Sequence, residues 1–464
     1  MKKTIHGVPI MALFITLSIS VSGQKAARRP VIIERNVRAE MNFLAGDAMQ
    51  GRGSGSQFER IAAEYIGSQF MQFGLEPAGE NGWDGKPTFV QTVTVQGREM
   101  LTGLSIAGDA GSAIVYGRDI VALGISAREI NGPLQKISLG GSAAKGAVVL
   151  VKLDPAAKFS EIQSALGKLR QEGAAAIILS EINEARQQWS EIAAQRVSIS
   201  RRGSLFLMSN EAFESMSKLA DGSSISIAGK FAPGVNTFTW NAIGKLTGSD
   251  PMLRSQVVLL SSHLDHLGVR PNAPTDDKIF NGADDDASGS VAVLELARTL
   301  ANGRRPKRTV FFVCFGSEEA GGFGANYFVN NLPFPKEKLV ANLEFEMIGR
   351  PDTAVKPEEL WLTGYERSNL GPELAKRGAK LVQDPHPNQN FFQRSDNYTL
   401  ARQGIIAHTV SSFGLHKDYH QSSDEVKMID FVHMTRSINS MVLPIWWLVN
   451  SNFVPAWNEG KRPS

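Results

Sequence analysis

The sequence predicts an α/β protein built on a doubly wound, mostly parallel sheet, with a smaller α/β module inserted into it. Three observations carry that expectation. Near-continuous apolar runs recur in the second half of the chain, "QVVLLSS" (256–262), "RTVFFVCFGS" (308–317), "LVANLEFEMIG" (339–349) and "GIIAHTV" (404–410), the texture of strands buried on both faces. A helix-patterned segment, "ASGSVAVLELARTLANG" (287–303), supplies a crossover between two of them. Between about 101 and 234 the runs become shorter, and no histidine falls between His6 and His263.

At 464 residues, with 42% hydrophobic and 20% charged content, the chain is long enough for two or three domains with real cores. Its formal charge of +3, partly owed to Lys2 and Lys3, offers no basic face for nucleic acid. Lys2-Lys3, the apolar stretch Val8–Val21 and the small residues ending in Ser22-Gly23 form the pattern of a secretory signal over residues 1–23. That stretch is shorter than the roughly 20 residues needed to span a bilayer. Export to the periplasm or the medium is therefore expected, with no membrane attachment after signal cleavage. Cys314 is the single cysteine, so no intrachain disulfide can form.

Residues 24–100 are expected to be the first part of the main domain. Ile61, Tyr65, Ile66 and Phe70 recur at helical spacing. The preceding "MQGRGSGS" lacks the Gly-Lys-Ser/Thr ending of a phosphate loop and follows no strand, so it reads as a turn. Residues 101–234 form the inserted module, with "GAVVLVKL" (146–153) and "AAAIILSE" (174–181) flanking a helical "EIQSALGKLRQEG". Residues 235–450 resume the main domain, and 451–464 form a C-terminal tail.

In open α/β sheets functional groups gather beyond the carboxyl ends of the strands. The first apolar run ends in His263, Asp265 and His266, and Asp284, Asp285 and Asp286 precede the crossover helix. The next runs end in Glu318-Glu319 and in Glu344 and Glu346, and "GLHKDYHQSSDE" brings His416 and His420. So many carboxylates at neighbouring strand ends would repel one another and raise their pKa values unless cations sat among them. Two imidazoles with three carboxylates suit zinc, and two ions about 3.5–4 Å apart sharing one carboxylate form a hydrolytic arrangement. Taken singly, each motif has a bland reading: a surface His-Asp hydrogen bond, a solvated Glu-Glu pair, an Asp-rich helix N-terminus. Met in order, each at a strand end or the start of its helix, they point to a metal centre. Glu344 and Glu346 share one strand face, so periodicity does not choose between them.

This ordered set, "SSHLDHLG", "NGADDDASGSVAVLELAR", "GSEEAGGFGANYF", "NLEFEMIG", "FFQRSDNYTLARQGI" and "DYHQSSDE", together with "FLAGDAMQGRGSGS" and "GLEPAG", resembles the M28-type co-catalytic zinc aminopeptidases. The resemblance covers roughly residues 36–100 and 235–450, and the inserted middle is similar to a protease-associated (PA) domain. It implies two zinc ions per chain, with His263 as a terminal ligand and Asp265 orienting that imidazole. It further implies Asp285 as the bridging carboxylate, followed by a cis peptide, Glu318 as general base and Glu319 as the ligand beside it. Glu346 takes a ligand position where the family more often has Asp, one methylene shorter. His420 matches the last ligand, with His416 and Glu344 as the runners-up to His420 and Glu346. Tyr419 resembles a phenol that hydrogen-bonds the transition state, and His266 reads as a structural residue beside the site. The implied partners are peptides with a free N-terminus. A carboxypeptidase-like hydrolase or a single-zinc glutaminyl cyclase on the same scaffold is the alternative, and a receptor-like binding protein is disfavoured by the complete ligand set.

Overall fold

A computed structural model describes residues 31–107, 114–154, 157–182, 185–186, 188–194 and 197–463. The expected signal segment lies outside the described residues. The chain divides into two compact units, one running up to Val93 and resuming at Thr239, the other spanning Thr94–Phe238.

Four parallel strands form the centre of the first unit's sheet, in the order Thr309–Phe315, Val257–His263, Leu339–Phe345, Ala407–Ser411. Thr237–Leu246 extends it antiparallel on one side and Leu360–Leu362 antiparallel on the other. Every residue of Val257–His263, Thr309–Phe315 and Leu339–Phe345 is buried, as expected of strands covered on both faces. Alternate residues feed two cores. Val258, Leu260, Val310 and Phe312 pack with the helices Glu34–Leu44, Gln57–Gln72, Gly289–Ala301 and Phe431–Asn450. Val257, Leu259, Phe311 and Val313 pack with Phe323–Asn330 and Asp396–Arg402. This is the doubly wound, mostly parallel α/β architecture.

The chain goes from the Val257–His263 strand to its neighbour on one side and then to its neighbour on the other. That reversal opens a crevice at the carboxyl end of Val257–His263, where ligands bind in such sheets. The strand Val90–Val95, along which the chain leaves this unit, pairs with Thr237–Leu246, along which it returns.

The second unit has its own seven-stranded mixed sheet. Glu129–Ser138, Val148–Lys152, Ala176–Ser180 and Leu205–Met208 run parallel, and Ser224–Ala232 and Ile120–Gly124 flank them antiparallel. It buries two apolar clusters of its own, one around Phe206 and Ile227, the other around Val149 and Leu169. Among the described residues no helix is long and apolar enough to cross a membrane.

Candidate metal centre

His263 closes its strand at the crevice. Ser290 Oγ donates to its carbonyl at 2.8 Å, and its N–H donates to Asp286 Oδ2 at 3.2 Å. The next aspartates are divided among separate tasks. Asp286 also accepts from the amides of Gly289 (2.9 Å) and Met347 (3.2 Å), so it fastens three segments of the crevice rim. Asp284 accepts from Gly349 N at 2.8 Å and meets His416 Nε2 at 2.9 Å. Asp424 accepts from the amides of Asp284 (3.0 Å) and Asp285 (3.1 Å), and the Asp285–Asp286 peptide is cis.

Asp285 is thereby left facing imidazoles. Its Oδ1 lies 3.1 Å from His263 Nε2 and its Oδ2 3.2 Å from His420 Nε2. Glu319 Oε1 lies 3.2 Å from the same His420 nitrogen and 2.9 Å from His266 Nδ1. Two groups of donor atoms result, His263–Asp285–Glu346 and His266–Asp285–Glu319, each with its atoms within 4.8 Å of one another. They share Asp285. His263 Nε2, both His266 nitrogens and Glu319 Oε1 are buried without a hydrogen-bond partner, so these nitrogens and oxygens converge without bonding one another. Buried polar atoms ordinarily find partners, and a mixed imidazole and carboxylate set left open in this way fits divalent cations of the zinc type.

Electrostatics agrees. Burial, reinforced by Glu344 and Asp285 and opposed by His263, pushes Glu346 up to about 8. Burial with Asp396, Glu346 and Glu319 nearby holds Glu318 well above the carboxylate range, against the pull of His263. Against burial, which works the other way, His263 and His420 hold Asp285 well below it. Acids this close in a dry place can all ionise only with positive charge among them.

The structure chooses where spacing could not. Glu344 Oε2 is occupied by Asn397 N (2.6 Å) and Thr409 Oγ1 (3.1 Å), and His416 is engaged by Asp284, whereas Glu346 and His420 face the cluster. The loop after His263 sets two further side chains beside it. The Asp265 carboxylate stands 3.8 Å from His263 Nδ1, which instead meets the Asp265 carbonyl at 3.2 Å. That carboxylate accepts from Glu318 N (2.9 Å), Glu319 N (3.3 Å) and Ser54 Oγ (2.5 Å), so it holds the turn carrying the two glutamates. His266, read from the sequence as a residue beside the site, stands against it, with Nδ1 in the second donor group.

Sequence reasoning missed two residues. Arg52, fully buried at a φ of +45°, donates to the carbonyls of Leu44, Leu264, Asn281 and Gly282 and ties the Gly-rich turn to the ligand loops. Glu59 accepts from Ser317 N at 2.7 Å. The one available signal was their setting, a lone arginine inside a glycine run and an acid among the apolar positions of the helix that follows.

Two recesses border the cluster. A narrow cavity of about 30 Å³ is lined by Glu346, Met347, Trp361, Phe391, Phe413 and Tyr419. Tyr419 stacks on the His420 ring at 3.9 Å, and Arg394 donates to its hydroxyl at 3.2 Å. A wider cleft of about 450 Å³ is lined by Ser54, Phe58, His266, Gly268, Arg270 and Glu319.

Residues 241–443 match the model of peptidase family M28. Leupeptin-inactivating enzyme 1 from Streptomyces exfoliatus is 29% identical over 249 residues, covering 49% of this chain and 54% of that protein. An aminopeptidase from Pseudomonas aeruginosa is 37% identical over 117 residues, 25% of this chain and 19% of that one. The chain thus spans about half the length of the first of these relatives, and less of the second. Among solved structures, the aminopeptidase from Aneurinibacillus sp. strain AM-1 aligns over 91% of this chain and 95% of its own, with a TM-score of 0.53 and 17% identity. A zinc aminopeptidase from Bacillus subtilis aligns over 91% and 97%, with a TM-score of 0.52 and 18% identity. These likenesses concern the fold. The segment that matches the family M28 model contains His263, Asp285, Glu318, Glu319, Glu346 and His420.

Proposed function

We propose that this protein is an exported dizinc aminopeptidase that removes residues one at a time from the N-terminus of peptides. The observation that carries the reading is the pair of donor groups sharing Asp285. One zinc would be held by His263, Asp285 and Glu346, the other by Asp285, Glu319 and His420, with His266 alongside. Zinc bound in such a pair supplies Lewis acidity, acidifying a water and polarising a carbonyl.

The chain's own residues do the rest. Glu318, ionised once cations sit among the neighbouring acids, takes a proton from the attacking water and returns it to the leaving nitrogen. The Tyr419 hydroxyl donates to the developing oxyanion, while Arg394 occupies its oxygen and leaves the proton free to point inward. The aromatic residues at Glu346 line one side of the scissile position, and at about 30 Å³ the recess they leave is no larger than a water, whereas the wider cleft at Glu319 has room for a peptide. Carboxylates at the junction suit a free α-ammonium group, which restricts cleavage to the first residue. The names of the relatives from Pseudomonas and Aneurinibacillus support aminopeptidase activity, and the Bacillus subtilis structure supports zinc. The second unit is read as a PA-like domain.

Zinc titration of purified protein, run with an aminoacyl-anilide and its N-acetylated counterpart, tests the proposal. Expected are two zinc ions per chain, chelator-sensitive hydrolysis of the free amine, and none of the blocked substrate. One zinc per chain favours a cyclase, and equal turnover of both substrates excludes an aminopeptidase.

A further inference from the structure

Glu59 lies in the first turn of the helix Gln57–Gln72 and is fully buried. Among the described residues no cation stands within ion-pair distance of it, and a carboxyl group buried in this way is costly unless hydrogen bonds satisfy it. Its bonds go to Gly55 N (2.7 Å), Thr239 Oγ1 (2.7 Å), Ser317 N (2.7 Å) and Ser317 Oγ (3.2 Å). Two of the four reach Ser317, the residue before the proposed base.

Ser317 has a φ of +54°, a conformation that a non-glycine residue keeps only when its surroundings impose it. Gly316 makes room for the imposing group: a Cβ there would stand 2.7 Å from Glu59 Oε1. The next two amides, Glu318 and Glu319, donate to the Asp265 carboxylate at 2.9 and 3.3 Å. Three successive N–H groups are therefore gripped by two buried carboxyl groups from distant parts of the chain, and the side chain emerging from that grip is Glu318.

We propose that Glu59 is a positioning residue that fixes the peptide before Glu318 and so sets the reach of that carboxyl. The inference rests on reading Glu318 as the base. A general base works only within hydrogen-bond reach of its proton, and a displacement of about 1 Å costs on the order of 100-fold. Losing the Ser317 anchor should lower turnover and leave substrate binding alone.

Glu59→Met removes the acceptor, and Glu59→Gln keeps a carbonyl oxygen for Ser317 N. With an aminoacyl-anilide, Glu59→Met should lower kcat by about 30-fold or more, hold KM within about twofold and leave zinc content unchanged, and Glu59→Gln should restore kcat to within about threefold. Hydrogen exchange across 316–319 should quicken in Glu59→Met while the strand Val257–His263 stays protected. A Glu59→Met enzyme with kcat within twofold of wild type overturns the proposal, as does a rate loss accompanied by equal loss of zinc and of thermal midpoint in both variants. If Glu59→Met does not fold, Glu59→Asp, one methylene shorter, decides: lowered kcat at an unchanged midpoint supports the role, and wild-type kcat overturns it. Should the wild type hydrolyse no anilide, the peptidase reading fails separately. Exchange then judges Glu59 alone, because unchanged protection at 316–319 in the variant excludes the anchor.

Discussion

Glu318 stands on a backbone that the Asp265 carboxylate holds in place, which suits a group that must both take and return a proton. Glu318→Gln should keep zinc content and lower kcat by about 10²- to 10⁴-fold, measured on an aminoacyl-anilide beside metal analysis. Tyr419→Phe keeps the stack on His420 and loses one oxyanion donor, so kcat should fall by roughly 10²-fold with little change in KM. The cluster residues were legible because each stands where a predicted strand or crossover helix delivers it. The carboxylate of Asp265 was not, since a spacing of two residues brings both its carbonyl and its side chain near His263, and only the path of the loop decides which one meets the ring. The direction of the His266 ring was not legible either, because a bend and not a periodicity aims it. Glu59 and Arg52 act across more than two hundred residues of sequence, a distance at which local pattern carries no information.

At the scale of single elements, the crossover helix Gly289–Ala301 begins hard against the cluster. A Cβ on Gly289 would collide with the Phe345 carbonyl and with both oxygens of Asp286, the carboxylate that also holds His263 and Met347. Gly289→Ala should cost about 1–3 kcal/mol, read from the denaturant midpoint, and lower activity by shifting that carboxylate. The strand Ala407–Ser411 carries a pH dependence of its own. His408 is buried, accepts from Ser368 Oγ at Nε2 (2.7 Å) and donates from Nδ1 to the Thr363 carbonyl (2.7 Å). Burial, with Arg367 adding to it, lowers its pKa from 6.5 to about 4. As pH falls from 6.5 toward 4 the unfolded chain takes up a proton that the folded ring refuses, so stability is lost through that window and regained as pH rises. Between pH 7 and pH 4 the wild type should lose up to roughly 3 kcal/mol more than His408→Gln, measured by urea unfolding at both values. The long central strands were readable from their apolar runs. The edge strands Leu360–Leu362 and Leu381–Gln383 were not, because three residues are too few to display a period.

For the molecule as a whole, the proposed ions join three strand ends with the loops that carry Asp285 and His420, so their removal should be felt as stability as well as rate. A ligand at about 100 times its Kd adds about 2.7 kcal/mol. Chelation should therefore lower the thermal midpoint by several degrees together with activity, and zinc should restore both; calorimetry with and without chelator checks it. The doubly wound layout was legible because helices and strands alternate in order through the second half of the chain. The pairing of Val90–Val95 with Thr237–Leu246 was not, because those partners are separated by an entire second core. That pairing has a structural price and a benefit: the departing and arriving chains are zipped together like the two edges of a seam, so whatever is sewn in beyond it leaves the catalytic sheet's hydrogen-bond ladder intact. Cargo of other lengths could be stitched at the same hem, and the crevice at His263 would keep its frame.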